Sequence, residues 1–214
     1  TGFPNAIVGQ AWFDRDDIAA GLEGHAAYPL VRSVRQKPKA APSPDVVMAG
    51  APGSMDDPRF RDGYRLLSRH GLHYDLQTPW WHLGEAARLA ADFPDTLVIL
   101  NHTGLPSDRS VPGLAAWRDA MAAFADQPNT AVKISGIGVP GQAWTADLNR
   151  GVVLETIALF GVNRCMFASN FPVDSLCGGF ADIMNGFKDI TAGFADNDRT
   201  MLFHDNAARI YRPV

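Results

Sequence analysis

The chain has 214 residues, 46% of them hydrophobic and 20% charged, with a formal net charge of −4. That is the size and balance of one globular domain, 1–214, with a substantial core. Lys and Arg are scattered without forming a stripe and no apolar run approaches bilayer length, so neither nucleic acid nor a membrane is expected as a partner.

In chain order, short strand-like runs alternate with helical patterns. Ile7–Phe13 reads as a strand, followed by a helix near Asp16–Glu23 and a strand at Leu30–Gln36. Pro38, Pro42 and Pro44 open a loop, in which Val46–Ala49 is either loop or a small extra strand. Asp56 and Asp57 signal a helix running to His70, with Gly71 at its C′ position. Leu72–Gln77 is a strand, Leu83–Phe93 a helix, and Leu97–His102 the clearest buried strand. Leu114, Trp117, Met121 and Phe124 mark one helix face. Ala131–Ser135 is a strand, Val152–Phe160 a helix, and Arg164–Ser169 the sixth strand, with helices near Phe180–Phe187 and Asp198–Tyr211 to follow.

Strand centres lie about 25 to 40 residues apart, the size of βαβ units, which predicts a parallel sheet with helices outside. Six units are visible where a (β/α)8 barrel needs roughly 250 residues. A (β/α)8 barrel incomplete at its N-terminus, lacking its first one or two units, fits this chain. A doubly wound open sheet is the structural alternative. Cys165, in an apolar run, and Cys177, beside Gly178, form no disulfide framework. They fit a reducing compartment, and with no signal peptide read ahead of Thr1 the expected location is cytoplasmic.

Parallel α/β proteins carry their chemistry at the C-terminal ends of the strands, and here every strand ends in polar residues. Gln10 and Trp12 close the first, Arg35 and Gln36 the second, and Asp75 and Gln77 the third, before Trp80, Trp81 and His82. Asn101 and His102 close the fourth, Lys133 and Ser135 lie on the fifth, and Ser169 and Asn170 close the sixth, ahead of Asp174. Six such ends imply a common polar mouth. Blander roles stand beside this one: His102 bonded to a loop carbonyl, Arg35 paired with Asp75, Lys133 pointing outward, the two tryptophans capping the core. Gly136, Gly138 and Gly141 spell G-x-G-x-x-G, but Pro140 stands where a phosphate turn would enter its helix.

The stretches VRSVRQ (31–36), LHYDLQ (72–77), LVILNHTGLP (97–106), VKISG (132–136), RCMFASNFPVD (164–174) and NAARIY (206–211) recur in an order that resembles a known family. It is the amidohydrolase-related group of barrel hydrolases that includes 2-pyrone-4,6-dicarboxylate lactonase and sugar-acid lactonases. The resemblance implies that His102 polarises the scissile carbonyl or holds a water. It implies that Arg35 and Gln77 contact an anionic or polyhydroxylated substrate.

Two departures follow from the same likeness. Relatives open with an H-x-H pair on their first strand; either that strand lies outside this sequence, or the barrel is open and any metal site incomplete. Relatives also carry Asp where this chain has Asn170, so Asp174 becomes the reserve base. The expected activity is lactone opening by water attack. His102, Asn170 and Asp174 are the catalytic candidates, and Arg35, Gln77, Asp75, Trp80, Trp81, Lys133 and Gln10 the substrate-binding ones. No metal or other cofactor is expected, a divalent ion being possible only with ligands from missing N-terminal residues. A non-catalytic ligand-binding relative and a decarboxylase are the competing readings, and an oligomer in which a second copy supplies a strand stays open.

Overall fold

The computed structural model describes residues 4–214, so the expected 1–214 domain is seen from its fourth residue onward. Six strands form one sheet in the order β1-β2-β3-β4-β5-β6, every neighbouring pair parallel. They are β1 (Ile7–Gln10), β2 (Val31–Gln36), β3 (His73–Leu76), β4 (Val98–Leu100), β5 (Thr130–Ile134) and β6 (Cys165–Phe167). The order never reverses. A doubly wound sheet requires a reversal, so the open-sheet alternative is excluded in favour of a single winding direction.

The helices are α1 (Ile18–Ala26), α2 (Pro58–Tyr64), α3 (Leu83–Asp92), α4 (Val111–Ala125), α5 (Ala146–Phe160), α6 (Phe180–Ile190), α7 (Asp196–Thr200) and α8 (Asn206–Tyr211). Alternation along the strands splits the sheet into two faces. Val34, Tyr74, Leu76, Val98, Leu100, Val132, Ile134 and Cys165 join the helices in the main core. Ile99, Ala131 and Met166 point the other way and pack with Ile210 and Tyr211 of α8. One face is thus clothed by the crossover helices, and α8 fills the concave side.

Element ends follow local chemistry. Asp57 caps α2 by accepting from the Arg59 amide at 2.9 Å. The helix expected to reach His70 stops at Tyr64, and a separate 3-10 turn at Ser68–His70 ends on Gly71 at φ +61°. Helix α5 begins six residues before the expected Val152, because Thr145 caps it through the Leu148 amide at 3.3 Å and Asp147 sits in its first turn. Val46–Ala49 is loop, entered by a 3-10 turn at Pro44–Val46. The expected terminal helix is three pieces, α7 and α8 joined by a π-helical turn at Met201–Asp205. The tail past α8 returns to β1 through the Val214 amide, which donates to the Asn5 carbonyl at 3.1 Å.

Candidate active site

The concave face carries two polar groupings. The deeper one is built on Asp75, fully buried at mid-strand in β3. Lys133 of β5 forms an ion pair with it, and the Tyr211 hydroxyl donates to both carboxylate oxygens, at 3.0 Å each. The lysine ammonium also lies over the Tyr211 ring, 4.8 Å from its centroid. Burial and the neighbouring Asp75 charge raise the Tyr211 pKa well above its ordinary value, so the phenol stays a donor. Asp75 and Lys133, both expected to touch substrate, hold each other; the carboxylate's ionic partner is the lysine, not Arg35.

The upper grouping surrounds His102. The chain leaves β4 through a tight turn in which His102, Thr103 and Leu105 all have positive φ, at 59°, 49° and 56°. Non-glycine residues adopt that region only under constraint. The constraint here is on both sides of the ring. The imidazole Nδ1 lies 2.9 Å from the Ser135 hydroxyl, just past β5. A Cβ on Gly136 would sit 2.7 Å from the imidazole Cγ, so only glycine leaves room for the ring. The first glycine of the apparent dinucleotide motif therefore serves His102. The second, Gly138, packs against Cys177, whose Sγ would lie 2.8 Å from a Cβ there.

Burial first, then the positive charges of Arg35, Lys133 and Lys37, lower the His102 pKa to about 4. The imidazole is neutral at pH 7. Arg35 is half-buried, stands opposite Gln10 and Asp75 in register, and has a buried Nε without a hydrogen-bond partner. With Asp75 offsetting one of the three cations, Arg35, Lys133 and Lys37, the surroundings of His102 carry net positive charge.

Beyond β6, Asn170 also has positive φ, at 56°, and its amide donates to Asp174 Oδ1 at 2.8 Å. The other Asp174 oxygen is buried with no partner, and burial raises the pKa of this carboxyl. The candidate amide and the reserve carboxylate are thus one unit. Asn101, Thr78 and Thr103 add further buried side-chain polar atoms without partners near the ends of β3 and β4.

Trp80 and Trp81 meet edge to face at 5.5 Å between centroids, and the Trp81 indole donates to the Ala41 carbonyl at 2.9 Å. Trp81 lines a cavity of about 320 Å³ between the loops after β3, β4 and β5, with Gly136 in its wall. Gln77 is half-buried, whereas Gln10 is exposed at the end of β1. His82 is structural: it accepts from the Ala41 amide at 2.8 Å and bonds Glu85 at 2.8 Å, which pins the proline-rich loop. Sequence reasoning missed Tyr211, which stood unremarked at the end of the family-like stretch 206–211, and gave Ser135 no role. It also passed over Arg109, which reaches the same cavity.

Among the described residues, no group of three or more His, Cys, Asp or Glu is placed to hold a metal ion. His102 is the sole imidazole of the upper grouping, and its lowered pKa stems from burial and cations, surroundings that repel a further positive charge. These residues do not fit a zinc centre. No helix among them is long and apolar enough to cross a membrane.

Residues 1–212 match the family model described as amidohydrolase. The chain is 44% identical over 211 residues to the uncharacterized protein y4mH of Sinorhizobium fredii, spanning 99% of this chain and 71% of that one. It is 27% identical over 226 residues to L-fucono-1,5-lactonase of Burkholderia ambifaria, spanning 99% and 72%. A crystal structure of an amidohydrolase from Burkholderia multivorans with bound zinc shares the fold at TM-score 0.83 and 21% identity, over 98% of this chain and 74% of that one.

Proposed function

The chain belongs to the amidohydrolase family, its six strands forming an arc of that family's (β/α)8 barrel, and from this premise we propose that it opens a sugar-acid lactone by water attack on the ring carbonyl. One observation carries the proposal: a neutral imidazole is held in a cleared slot within the field of three cations, Arg35, Lys133 and Lys37. That is an arrangement for receiving a developing oxyanion. A relative that acts on L-fucono-1,5-lactone supports the choice of substrate class.

A histidine with a pKa near 4 is a weak base at pH 7. We therefore assign His102 as a hydrogen-bond donor: Ser135 donates to Nδ1, and Nε2–H faces the carbonyl oxygen. Asp174, with its raised pKa and uncommitted Oδ2, takes the proton of the attacking water, while Asn170 fixes the carboxylate and orients that water. The water oxygen bonds to the carbonyl carbon, and the resulting oxyanion is held by His102 and Arg35. Collapse breaks the acyl–oxygen ring bond, and the proton on Asp174 passes to the departing ring oxygen. The product is a hydroxy acid, which releases one proton at neutral pH. Arg35 and Gln77 bind ring hydroxyls, and Trp80 walls the pocket. No step is routed through a metal.

The test is acid release from a panel of aldono-1,5-lactones and dicarboxylate lactones, followed with a pH indicator. Turnover is expected on at least one sugar-acid lactone, and His102→Ala should lower kcat about 100- to 1,000-fold, as loss of an oxyanion donor does. Full activity of His102→Ala would remove the assigned role. Saturable lactone binding without any turnover would leave a binding protein instead.

A further inference from the structure

The cavity of about 320 Å³ beside the His102 turn has a feature that this scheme does not use. Its wall is mostly apolar: Pro79, Trp81, Leu105, Pro106, Ile137 and Val139 contribute. One charged side chain, Arg109, lines it as well. None of the ion pairs among the described residues includes Arg109. Its guanidinium is positioned by neutral acceptors alone, with Nη2 donating to the Ile137 carbonyl at 2.8 Å and to Asn149 Oδ1 at 3.4 Å. Its Nε is buried without a partner.

A half-buried cation with neutral partners and a missing one is costly unless an anion completes it. The carbonyl contact fixes the head group, so little order would be lost when an anion arrives. The volume suits a molecule of about one ring, and Trp81 is held at the wall by its bond to Ala41. Desolvation also lowers the Arg109 pKa, the sign of a charge that lacks compensation.

We propose that this cavity is a binding site for a small organic carboxylate, with Arg109 holding the carboxylate and the Trp81–Leu105–Val139 wall covering its apolar body. The site is distinct from the Arg35–Lys133 grouping, and its occupancy does not depend on lactone hydrolysis. It borders the His102 turn at Gly136, which lines the cavity and whose added Cβ would meet the imidazole. An occupant therefore packs against the wall that holds His102.

The test is isothermal titration of the full chain with benzoate at pH 7, with benzamide as the neutral counterpart. Saturable benzoate binding is expected, with benzamide at least about tenfold weaker, as for loss of a charge-assisted contact. Arg109→Gln should weaken benzoate by at least about tenfold, Arg109→Lys by less, and Arg35→Gln should leave it unchanged. Val139→Phe, which fills the cavity without touching Arg109, should also abolish binding and guards against a fold defect in the arginine variants. No saturable binding to the wild type would overturn the proposal. Equal binding of benzamide, or loss through Arg35→Gln with Arg109→Gln unaffected, would overturn it too. Because every readout is equilibrium binding, failure here leaves the lactonase reading standing, and an inactive but benzoate-binding protein would separate the two in the other direction.

Discussion

The two polar groupings on the concave face are neighbours with opposite accounting of hydrogen bonds. In the deeper one, Lys133, Asp75 and Tyr211 answer each other: the buried carboxylate has an ammonium and two phenol contacts. Along the strand ends and the loops that follow them the reverse holds. Arg35 Nε, both polar atoms of the Asn101 side chain, Thr78 Oγ1, Thr103 Oγ1 and Asp174 Oδ2 are buried without partners, and four residues take positive φ. Native proteins pair nearly all buried polar atoms, so a cluster of exceptions marks a place where something else completes the set. The contrast separates the set that holds the sheet to α8 from the strand ends where the proposed lactone site lies.

The strongest way to break this contrast is to remove the carboxylate of the deeper grouping. Asp75→Ala leaves Lys133 as a partly buried cation without its counter-ion and the Tyr211 hydroxyl without an acceptor. The expected loss of stability in urea unfolding is about 3–5 kcal/mol, the usual result of orphaning one member of a buried pair. A loss below about 1 kcal/mol would mean that the Lys133–Asp75–Tyr211 set is not what ties α8 to the sheet.

How much of this was legible in the sequence differs between the two groupings. The upper one was legible as candidates: strand-end polarity and the family resemblance raise His102, Arg35, Asn170 and Asp174, although the same strand-end rule also raises Asp75 and Lys133. The pairing within the deeper one was not. Asp75 and Lys133 are 58 residues apart and Asp75 and Tyr211 are 136 apart, and nothing local distinguishes a lysine that meets a carboxylate from one that meets substrate. Tyr211 was invisible because a helix-terminal tyrosine reads as packing unless the helix is known to fill the concave side. The start of α5 was missed because its signal was a lone cap at Thr145, and every strand except β5, which has the expected length shifted by one residue, is shorter than its sequence pattern suggests.

A second measurement sharpens the contrast at the mouth through pH. The fold holds His102 with a pKa of about 4, below the ordinary histidine value of 6.5. As pH falls below 6.5 the unfolded chain takes up a proton that the folded chain refuses, so the unfolded state gains. The stabilising contribution of the neutral imidazole is complete above pH 6.5 and is lost progressively as pH falls to about 4. Wild-type Tm should therefore drop more steeply between pH 7 and pH 4.5 than that of His102→Gln, the difference isolating this group from His73, whose pKa is also lowered by burial. Parallel curves would show that burial and the nearby cations do not act on His102 as the geometry implies.

The smallest expected effect has the opposite sign, which makes it the most selective. Thr78 is buried beside Pro79 at the end of β3, and its hydroxyl has no partner. Replacing it with the near-isosteric valine removes an unsatisfied polar atom and keeps the shape, so Thr78→Val should unfold at equal or higher urea, by up to about 1 kcal/mol. A hydroxyl that the folded protein satisfies on its own would behave the other way, with valine destabilising by about 1 kcal/mol. If the hydroxyl is instead completed by substrate, the same variant should raise KM for the active lactone while the free protein gains stability. Gain in stability joined to loss of binding at one residue is what a site under-satisfied for a ligand produces, and the paired Lys133–Asp75–Tyr211 set has no position that can give it.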